Sequence, residues 1–527
     1  MKSSFQHFLT RYHPRSIRSL VYMAQQSEYH PREFLRWLWR TGEFLHVEQR
    51  KTLIKTPKAL FFLAVLYLFA VLWFSFTLWV LLVGVVWWKY IVFLLMLLGA
   101  PLVVAYGVVG VIFAFNLLQW PTETVIVGHA RQKLAKHPGF KIAVAGSFGK
   151  TSMREILKTV LSAGKNVSAP PGSYNTPLGI AKFVRGLKGD EEVLIFEMGE
   201  YYKGDIKRLC SLVQPNIGAI TGVNEAHLEK FKDIEQTRAT IFELADYLGE
   251  KPLYINGESE LATSSISPLE KGVPSLPAVG RSPRAEDLNP SPSAVCDYPT
   301  APFKKGRIKN PPILYTRAGV GKWKVERAQT GLQGTSFTLQ NGSESISVRS
   351  HLLGLHQVGP LVVAAHIASK LGLTAEQIEK GIDATKPFEH RLKPHTDAHG
   401  VITLDDSYNG NPDGVRAIIE FLAGLQGSRR WYVTPGLVEM GPKKEEVHKE
   451  IGRHLARAGI EKVVLIRNSV TPFIEMGLQE EKSRLGGQDQ GEVLWFEKAL
   501  DAFSALPNLT VKGDIVLLQN DWPDQYC

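Results

Sequence analysis

One glycine-containing segment has the residue types and spacing of a phosphate-binding loop. An apolar run ends at Ala145, a Gly-Ser-Phe-Gly-Lys-Thr-Ser sequence follows at residues 146–152, and residues 153–162 have the pattern of a helix. Glycines let backbone N–H groups turn toward phosphate oxygens, and the N-terminus of a helix adds partial positive charge. In this arrangement Lys150 would reach the β- and γ-phosphates of a nucleotide, and the Thr151 hydroxyl would bind Mg²⁺.

The predicted nucleotide contacts in this loop are Gly146, Ser147, Gly149, Lys150, Thr151 and Ser152. The longer form of the motif has a glycine at the position of Val144. A tight turn between a strand and a helix, with a chance Gly-Lys-Thr, is therefore the structural alternative.

Two further residues with metal-binding chemistry follow apolar runs. Glu197 comes directly after the run 193–196, where a carboxylate can face a cleft at the carboxyl edge of a parallel sheet. His227 lies shortly after the run 217–221. Out of context, a solvated or hydrogen-bonded structural role explains either residue better than catalysis does.

Carboxylate and amide side chains cluster near residue 406. Asp405, Asp406, Asn409 and Asn411 end an expected strand and begin a turn that Pro412 stops. Such groups can bind ribose hydroxyls or a polar substrate, and Asp406 with Asn409 is the preferred functional pair. The alternative is turn and N-cap chemistry, which the same residue types perform.

The elements that position these residues follow an α/β pattern. After residue 121, short apolar runs alternate with helical stretches, which is typical of a sheet flanked by helices. The expected strands are 142–145, 193–196, 217–221, 401–405, 431–434, 463–466 and 514–518. Residues 262–312 break the pattern, because they are rich in Pro and Ser, and they are expected to form a flexible insertion or linker.

Residues 59–118 are almost entirely apolar, and Lys89 is their only charge. A membrane-spanning helix needs roughly 20 apolar residues, so two transmembrane helices are predicted, 59–88 and 90–118. A buried core hairpin or a cleaved signal peptide fits the length and position of this run poorly.

The 527-residue chain carries a net charge of +10, and residues 1–58 hold eleven Lys and Arg against four Glu. A basic arm is expected to stay on the cytoplasmic side of a membrane, so two spans place the rest of the chain in the cytoplasm as well. The arm either lies on an anionic membrane surface or forms a solvated basic helix. The three cysteines are widely spaced, which argues against a disulfide framework or a zinc site.

Taken together, the short motifs resemble the Mur ligase family, whose phosphate-binding loop also lacks the first glycine of the longer motif. Similar segments follow in the family's order at residues 173–180, 197–199, 204–206, 221–229, 353–356, 391–392, 404–412 and 438–441, and at His448 with Gly452. One such motif is a weak signal. An ordered series over residues 140–527, apart from the insertion, is specific.

The resemblance implies a ligase that uses ATP to activate a carboxylate as an acyl phosphate and then joins it to an amine. It implies that Lys150, Glu197 and His227 are catalytic, and that Thr151, Glu197 and His227 bind Mg²⁺. The remaining implied contacts are Arg391 and Asp406 for the nucleotide, and Asn175, Thr176, Asn409 and Asn411 for the substrate.

The implied reaction adds D-Ala-D-Ala, or another amino acid or dipeptide, to a peptidoglycan precursor at the cytoplasmic face of the cell membrane. The expected partners are ATP, the precursor, the amine substrate and membrane lipid, with no nucleic acid. The expected organisation is a basic arm (1–58), two transmembrane helices (59–118), a P-loop ATPase domain (119–345) and a Rossmann-like C-terminal domain (346–527). The alternatives are a membrane-bound ligase of another polymer such as poly-γ-glutamate, or a membrane P-loop ATPase without ligase activity.

The chain departs from the family pattern at four places. A membrane hairpin stands where the family has a domain for the UDP-linked substrate. Many members carry a carbamylated lysine at a position where this chain has Thr240 or Ile241. Gly222 replaces an Asn, and Pro360 replaces the second Asn of a run that contacts adenine. The acceptor and the fine contacts to the nucleotide are therefore left open by the sequence.

Overall fold

The structure, a computed structural model, describes residues 17–27, 29–40, 53–83, 87–172, 174–200, 202–224, 233–264, 311–342, 344–407, 410–438, 440–486 and 491–520. These residues form two compact units, one within residues 1–128 and the other within residues 129–520. The predictions for His227, for Asn409 and for residues 265–310 of the insertion lie outside the described residues.

The first unit is built from helices. Their bounds are α1 (Ile17–Gln26), α2 (Pro31–Arg40), α3 (Pro57–Val83) and α4 (Lys89–Lys136). Helix α4 belongs to the first unit up to Gly128. Phe34 of α2, Phe62 of α3 and Val108 of α4 belong to one buried apolar cluster, which α1 also joins. By length and composition, the helical segments Pro57–Val83 and Leu102–Lys136 are long and apolar enough to cross a membrane.

The second unit contains a large mixed sheet. Its strands are β1 (Phe140–Ala145), β2 (Val167–Ser168), β3 (Val193–Glu197), β4 (Ile217–Ile220), β5 (Leu253–Asn256), β6 (Ile313–Thr316), β7 (Gly319–Val320), β8 (Trp323–Gly331), β9 (Gly334–Asn341) and β10 (Glu344–Ser350). They stand in the order β10-β9-β8-β7-β6-β5-β4-β1-β3-β2, with β1 to β6 parallel and β7 to β10 antiparallel to their neighbours. The apolar strand β1 lies between β3 and β4, so its carboxyl end is where the strand order reverses, the usual place for a ligand in such a sheet.

Helices connect these strands and pack on them. Their bounds are α5 (Lys150–Leu161), α6 (Pro177–Arg185), α7 (Asp205–Val213), α8 (Ile234–Ile241), α9 (Glu243–Leu248), α10 (Glu260–Thr263), α11 (Val358–Lys370) and α12 (Ala375–Asp383). Val160 of α5, Val362 of α11 and Ile378 of α12 are buried in one core with Ile142 of β1. Because this core fixes both β1 and α5, it also fixes the loop that joins them.

A second sheet follows in the same unit. Its strands are β11 (Lys393–Thr396), β12 (Ile402–Asp406), β13 (Arg430–Thr434), β14 (Lys462–Ile466), β15 (Glu492–Phe496) and β16 (Ile515–Gln519), in the order β11-β12-β16-β13-β14-β15. Its helices are α13 (Pro412–Gly424), α14 (Lys444–Arg457), α15 (Thr471–Leu485) and α16 (Ala499–Leu509). All neighbours are parallel except β11 with β12.

The predicted α/β fold is confirmed, and each strand expected from the sequence overlaps an observed strand. Residue 346, where the C-terminal domain is expected to begin, lies in β10, which pairs with β9 in the first sheet. The second sheet begins with Lys393. The polar alternation of β10 does not by itself show which sheet the strand joins.

Candidate functional site

The glycine-containing loop connects β1 to α5 in the conformation that phosphate binding needs. Gly146 has a φ of 142° and Gly149 a φ of 71°. A Cβ on Gly146 would lie 2.2 Å from the Thr221 Oγ1, so only glycine lets the loop approach the end of β4 this closely. The Ser147 N–H donates to the Gly222 carbonyl at 2.9 Å, which ties the loop to the segment after β4.

Lys150 begins α5 and points back over the loop. Its Nζ donates to the Gly146 carbonyl at 2.5 Å and to the Glu200 Oε1 at 2.6 Å. The side chain of Glu200 is almost fully buried. Sequence reasoning missed Glu200, although its place three residues after Glu197 was a signal that could have found it.

Glu197 lies at the carboxyl end of β3, beside the loop, as the sequence predicted. Its Oε2 accepts from the Thr151 hydroxyl at 3.0 Å and from the Arg154 Nη1 at 3.2 Å, and its Oε1 accepts from the Asn175 Nδ2 at 3.4 Å. Arg154 is buried and also donates to the Gly172 carbonyl. This arginine was missed as well, one turn beyond Lys150 on α5.

A hydroxyl and a carboxylate fit Mg²⁺, which prefers oxygen ligands and binds proteins through one or two carboxylates with substrate phosphates. Thr151 and Glu197 are the residues that would hold it. Within the part of the chain that the structure describes, no three His, Cys, Asp or Glu side chains converge on a metal position. An ion at this site would therefore depend on phosphate oxygens and water for its other ligands.

The segment before α6 carries two residues that were predicted to bind substrate. Asn175 is buried against Glu197, and its carbonyl accepts from the Gly199 N–H at 3.1 Å. Thr176 is the N-cap of α6, because its hydroxyl accepts from the Gly179 N–H at 3.3 Å. The structure thus gives the Thr176 side chain a capping role, and brings only Asn175 to the loop.

A buried amide connects the first sheet to the second. The Asn224 N–H donates to the Ser147 Oγ at 3.3 Å, and its Nδ2 donates to Asn411 Oδ1 at 2.8 Å and to Asp413 Oδ2 at 3.1 Å. Asn411 is also the N-cap of α13, since its Oδ1 accepts from the Gly414 N–H. The Asn411 oxygen therefore already accepts two hydrogen bonds, one of which crosses from the first sheet to the second.

Asp406 ends β12 and faces the same cleft as Arg391. Burial raises the pKa of Asp406 to about 6. The Asp405 charge acts in the same direction, whereas the Arg391 guanidinium and the Leu392 N–H act to lower this pKa. A carboxyl group buried beside a cationic side chain is a suitable partner for a ribose hydroxyl.

Arg317 lines the cleft and forms ion pairs with residues from both of its sides. Its guanidinium pairs with Glu258 of the first sheet region and with Glu420 of α13. Burial, with a smaller contribution from the Arg317 charge, lowers the pKa of the nearby His356 to about 4. Sequence reasoning missed Arg317. Six of the residues that line the cleft are Phe148, Thr221, Tyr315, His356, Arg391 and Asp406.

Thr240 or Ile241 stands at the position of the family's carbamylated lysine. Thr240 is fully buried, and its Oγ1 donates to the Gln236 carbonyl at 2.8 Å. No carbamate can form on Thr240 or on Ile241. Pro360 lies in the first turn of α11, where a missing N–H breaks no helical hydrogen bond.

The glycine-containing loop at the switch point of the first sheet lines one cleft with Arg391, which precedes the second sheet, and Asp406, which ends β12. The carboxyl ends of strands at a switch point are where open α/β sheets bind nucleotides. Comparison with known protein families matches residues 144–291 to the Mur ligase middle domain and residues 390–519 to the Mur ligase, glutamate ligase domain. The second match begins close to the start of β11. The chain belongs to the Mur ligase family.

Its curated relatives include two UDP-N-acetylmuramoyl-tripeptide–D-alanyl-D-alanine ligases. That of Mycobacterium tuberculosis is 29% identical over 332 residues, which cover 62% of this chain and 58% of the relative. That of Escherichia coli is 26% identical over 338 residues, covering 62% of this chain and 65% of the relative. The chain thus spans less than two thirds of the length of these relatives.

Solved structures share the fold. Crystal structure I of MurF from Acinetobacter baumannii has a TM-score of 0.58 and 20% identity, and the match covers 77% of this chain and 78% of that one. The MurF ligase from Thermotoga maritima in complex with ADP has the same TM-score and identity, with 76% and 80% covered.

Proposed function

We propose that this protein is an ATP-dependent, ADP-forming amide ligase that adds D-Ala-D-Ala, or another amino acid or dipeptide, to a peptidoglycan precursor. The observation that carries the proposal is the cleft that Gly149 and Ser152, on either side of Lys150 and Thr151, line together with Arg391, which precedes the second sheet, and Asp406, which ends β12. A P-loop ATPase without ligase activity needs no second α/β sheet beside its nucleotide site. The curated relatives named above carry the same activity in their names.

In the proposed reaction, a carboxylate oxygen of the precursor attacks the γ-phosphorus of ATP and ADP leaves. The amine nitrogen then attacks the acyl carbon, phosphate leaves with the electron pair of the C–O bond, and the amine loses a proton. Lys150 and the loop N–H groups neutralise charge on the phosphates, which is the main requirement of phosphoryl transfer. Mg²⁺, held by Thr151 and Glu197, would add positive charge at the phosphate oxygens when bound.

The remaining residues of the cleft bind and orient. Arg391 and Asp406 are suited to the ribose and phosphate groups of the nucleotide, and Asn175 holds Glu197 in place. Apolar and aromatic walls such as Phe148 and Tyr315 reduce the access of water. Exclusion of water matters here because an acyl phosphate that meets water is hydrolysed before the amine reacts.

We also propose that α3 and α4 anchor the protein in the cytoplasmic membrane, with lipid as a partner. Leu68, Leu72 and Trp79 of α3 and Leu95 and Phe113 of α4 each expose more than half of their surface. Exposed apolar surface of this extent on two long helices is stable in hydrocarbon and unfavourable in water. The covalent link would hold the ligase domains near any membrane-bound precursor.

Release of ADP by the purified full chain tests the catalytic proposal. The panel combines muramyl-tripeptide acceptors with single amino acids and with D-Ala-D-Ala, and mass spectrometry detects the amide product. ADP release that requires both acceptor and amine supports the ligase. Release without either substrate would favour the ATPase alternative, and elongation of glutamate alone would favour a ligase of poly-γ-glutamate.

Extraction of isolated membranes tests the anchor. The full chain should stay in the pellet after alkaline carbonate treatment and become soluble only in detergent. Recovery of the intact chain in the carbonate supernatant would contradict the transmembrane proposal without affecting the catalytic one.

A further inference from the structure

The lysine of the phosphate-binding loop has an anionic partner. Glu200 Oε1 lies 2.6 Å from Lys150 Nζ, and the side chains of Lys150 and Glu200 expose 12% and 2% of their surface. At this distance and degree of burial the attraction between the two charges is far stronger than that of a surface ion pair. An incoming phosphate therefore meets an ammonium group whose charge is already balanced.

Glu200 is held where it is by backbone contacts on its own loop. The Met198 N–H donates to the Val144 carbonyl at 2.8 Å, and the Gly199 N–H donates to the Asn175 carbonyl at 3.1 Å. The first bond ties residue 198 to β1, and the second ties residue 199 to the segment before α6. Together they fix the backbone next to Glu200, from which its side chain reaches Lys150.

Among the residues that the structure describes, the other charged side chains at the loop do not supply an excess of positive charge. Arg154 is paired with Glu197 at 3.2 Å and with Glu155 at 2.8 Å. Together with Lys150 and Glu200, these contacts join two positive and three negative side chains. These five side chains therefore offer no net positive charge to a diphosphate or triphosphate.

We propose that Glu200 makes nucleotide binding depend on a divalent cation, by neutralising Lys150 in the absence of metal. This inference rests on the proposed function, since it concerns the same nucleotide site. With the metal present, its charge offsets the carboxylates and the nucleotide binds tightly. Without it, the phosphates must compete with Glu200 for Lys150, so that metal-free nucleotide is rejected.

Equilibrium binding of ADP to the detergent-solubilised full chain tests this role, measured once with EDTA and once with excess Mg²⁺. Glu200→Gln keeps the shape of the side chain and removes its charge. Binding of metal-free ADP should tighten roughly tenfold in this variant, while binding with Mg²⁺ changes less, so the dependence on metal shrinks. Glu155→Gln is the matched control. It also removes one negative charge, but from a residue of α5 that pairs with Arg154 instead of Lys150.

Equal metal-free affinity in the wild type and Glu200→Gln would overturn the inference, as would an equal gain in Glu155→Gln. If Glu200→Gln does not fold, Glu200→Asp carries the test, because its shorter side chain lengthens the contact with Lys150. A smaller gain, roughly threefold, supports the inference, and no gain refutes it. A wild type that binds ADP in neither condition would instead refute the proposed function on which the inference rests.

Discussion

Replacing Asp406 by Asn should stabilise the protein at neutral and alkaline pH. Burial raises the pKa of Asp406 from 3.8 to about 6, so the folded state resists the ionised form. A difference of about 2 pKa units corresponds to roughly 3 kcal/mol of unfolding free energy. Asn keeps an oxygen that can accept from the Leu392 N–H, and it carries no charge to bury.

The sign of the pH dependence follows from proton uptake. A carboxyl group with a raised folded-state pKa binds more protons folded than unfolded between about pH 4 and pH 6. The wild type therefore gains stability as pH falls through this window and loses it as pH rises. The advantage of Asp406→Asn should be full above about pH 7 and should vanish near pH 4.

Thermal unfolding of the full chain without nucleotide, recorded at about pH 8 and about pH 5, measures this effect. The variant should melt several degrees higher than the wild type at the upper pH, with a clearly smaller gap at the lower one. Asp190→Asn, an exposed acid in a loop, is the control and should change the unfolding free energy by less than about 0.5 kcal/mol. A variant that is less stable at alkaline pH, or a gap that does not depend on pH, would refute the reasoning.

Four further substitutions test the site. Lys150→Ala should lower kcat by about a hundredfold or more while the circular dichroism spectrum stays unchanged, and wild-type turnover would sink the assignment of the loop. Gly222→Ala places a Cβ 2.3 Å from the Phe148 ring at a residue whose φ is 150°. The melting temperature should therefore fall by an amount equivalent to about 1–3 kcal/mol of unfolding free energy. An unchanged melting temperature would show that the loop is not packed as described. Thr176→Ala should lower the unfolding free energy by about 1 kcal/mol, because the N-cap of α6 is lost. Its KM for the amine should stay unchanged. A large rise in that KM would support the predicted role of Thr176 in substrate binding. Arg317→Gln should reduce the unfolding free energy by about 1 kcal/mol or less, because the ion pairs of Arg317 are partly exposed. The difference from wild type should shrink in high salt, which screens such pairs. A loss of stability that salt does not change would contradict this account.

Several features of the protein were accessible from the sequence because they depend on near neighbours in the chain. The strand, turn and helix around residues 140–161 follow from an apolar run, two glycines and a helical segment. The long helices of the first unit follow from uninterrupted apolar length. In each case the backbone conformation is set within a few residues, so residue types and spacing carry the information.

The partners within the site depend on tertiary structure. Lys150 meets Glu200 across 50 positions of sequence, Arg317 meets Glu420 across 103, and Asn224 meets Asn411 across 187. These contacts exist because the order of strands in each sheet, and the packing of one sheet against the other, bring loop ends together. Thr176 and β10 show the same limit. A hydroxyl can cap a helix as well as bind a substrate, and the residue pattern of a strand does not show which strand it pairs with. The family, the phosphate-binding loop and the apolar helices could be predicted from the amino-acid sequence. The pairing of charged side chains could not, because it depends on distances in space that the fold sets.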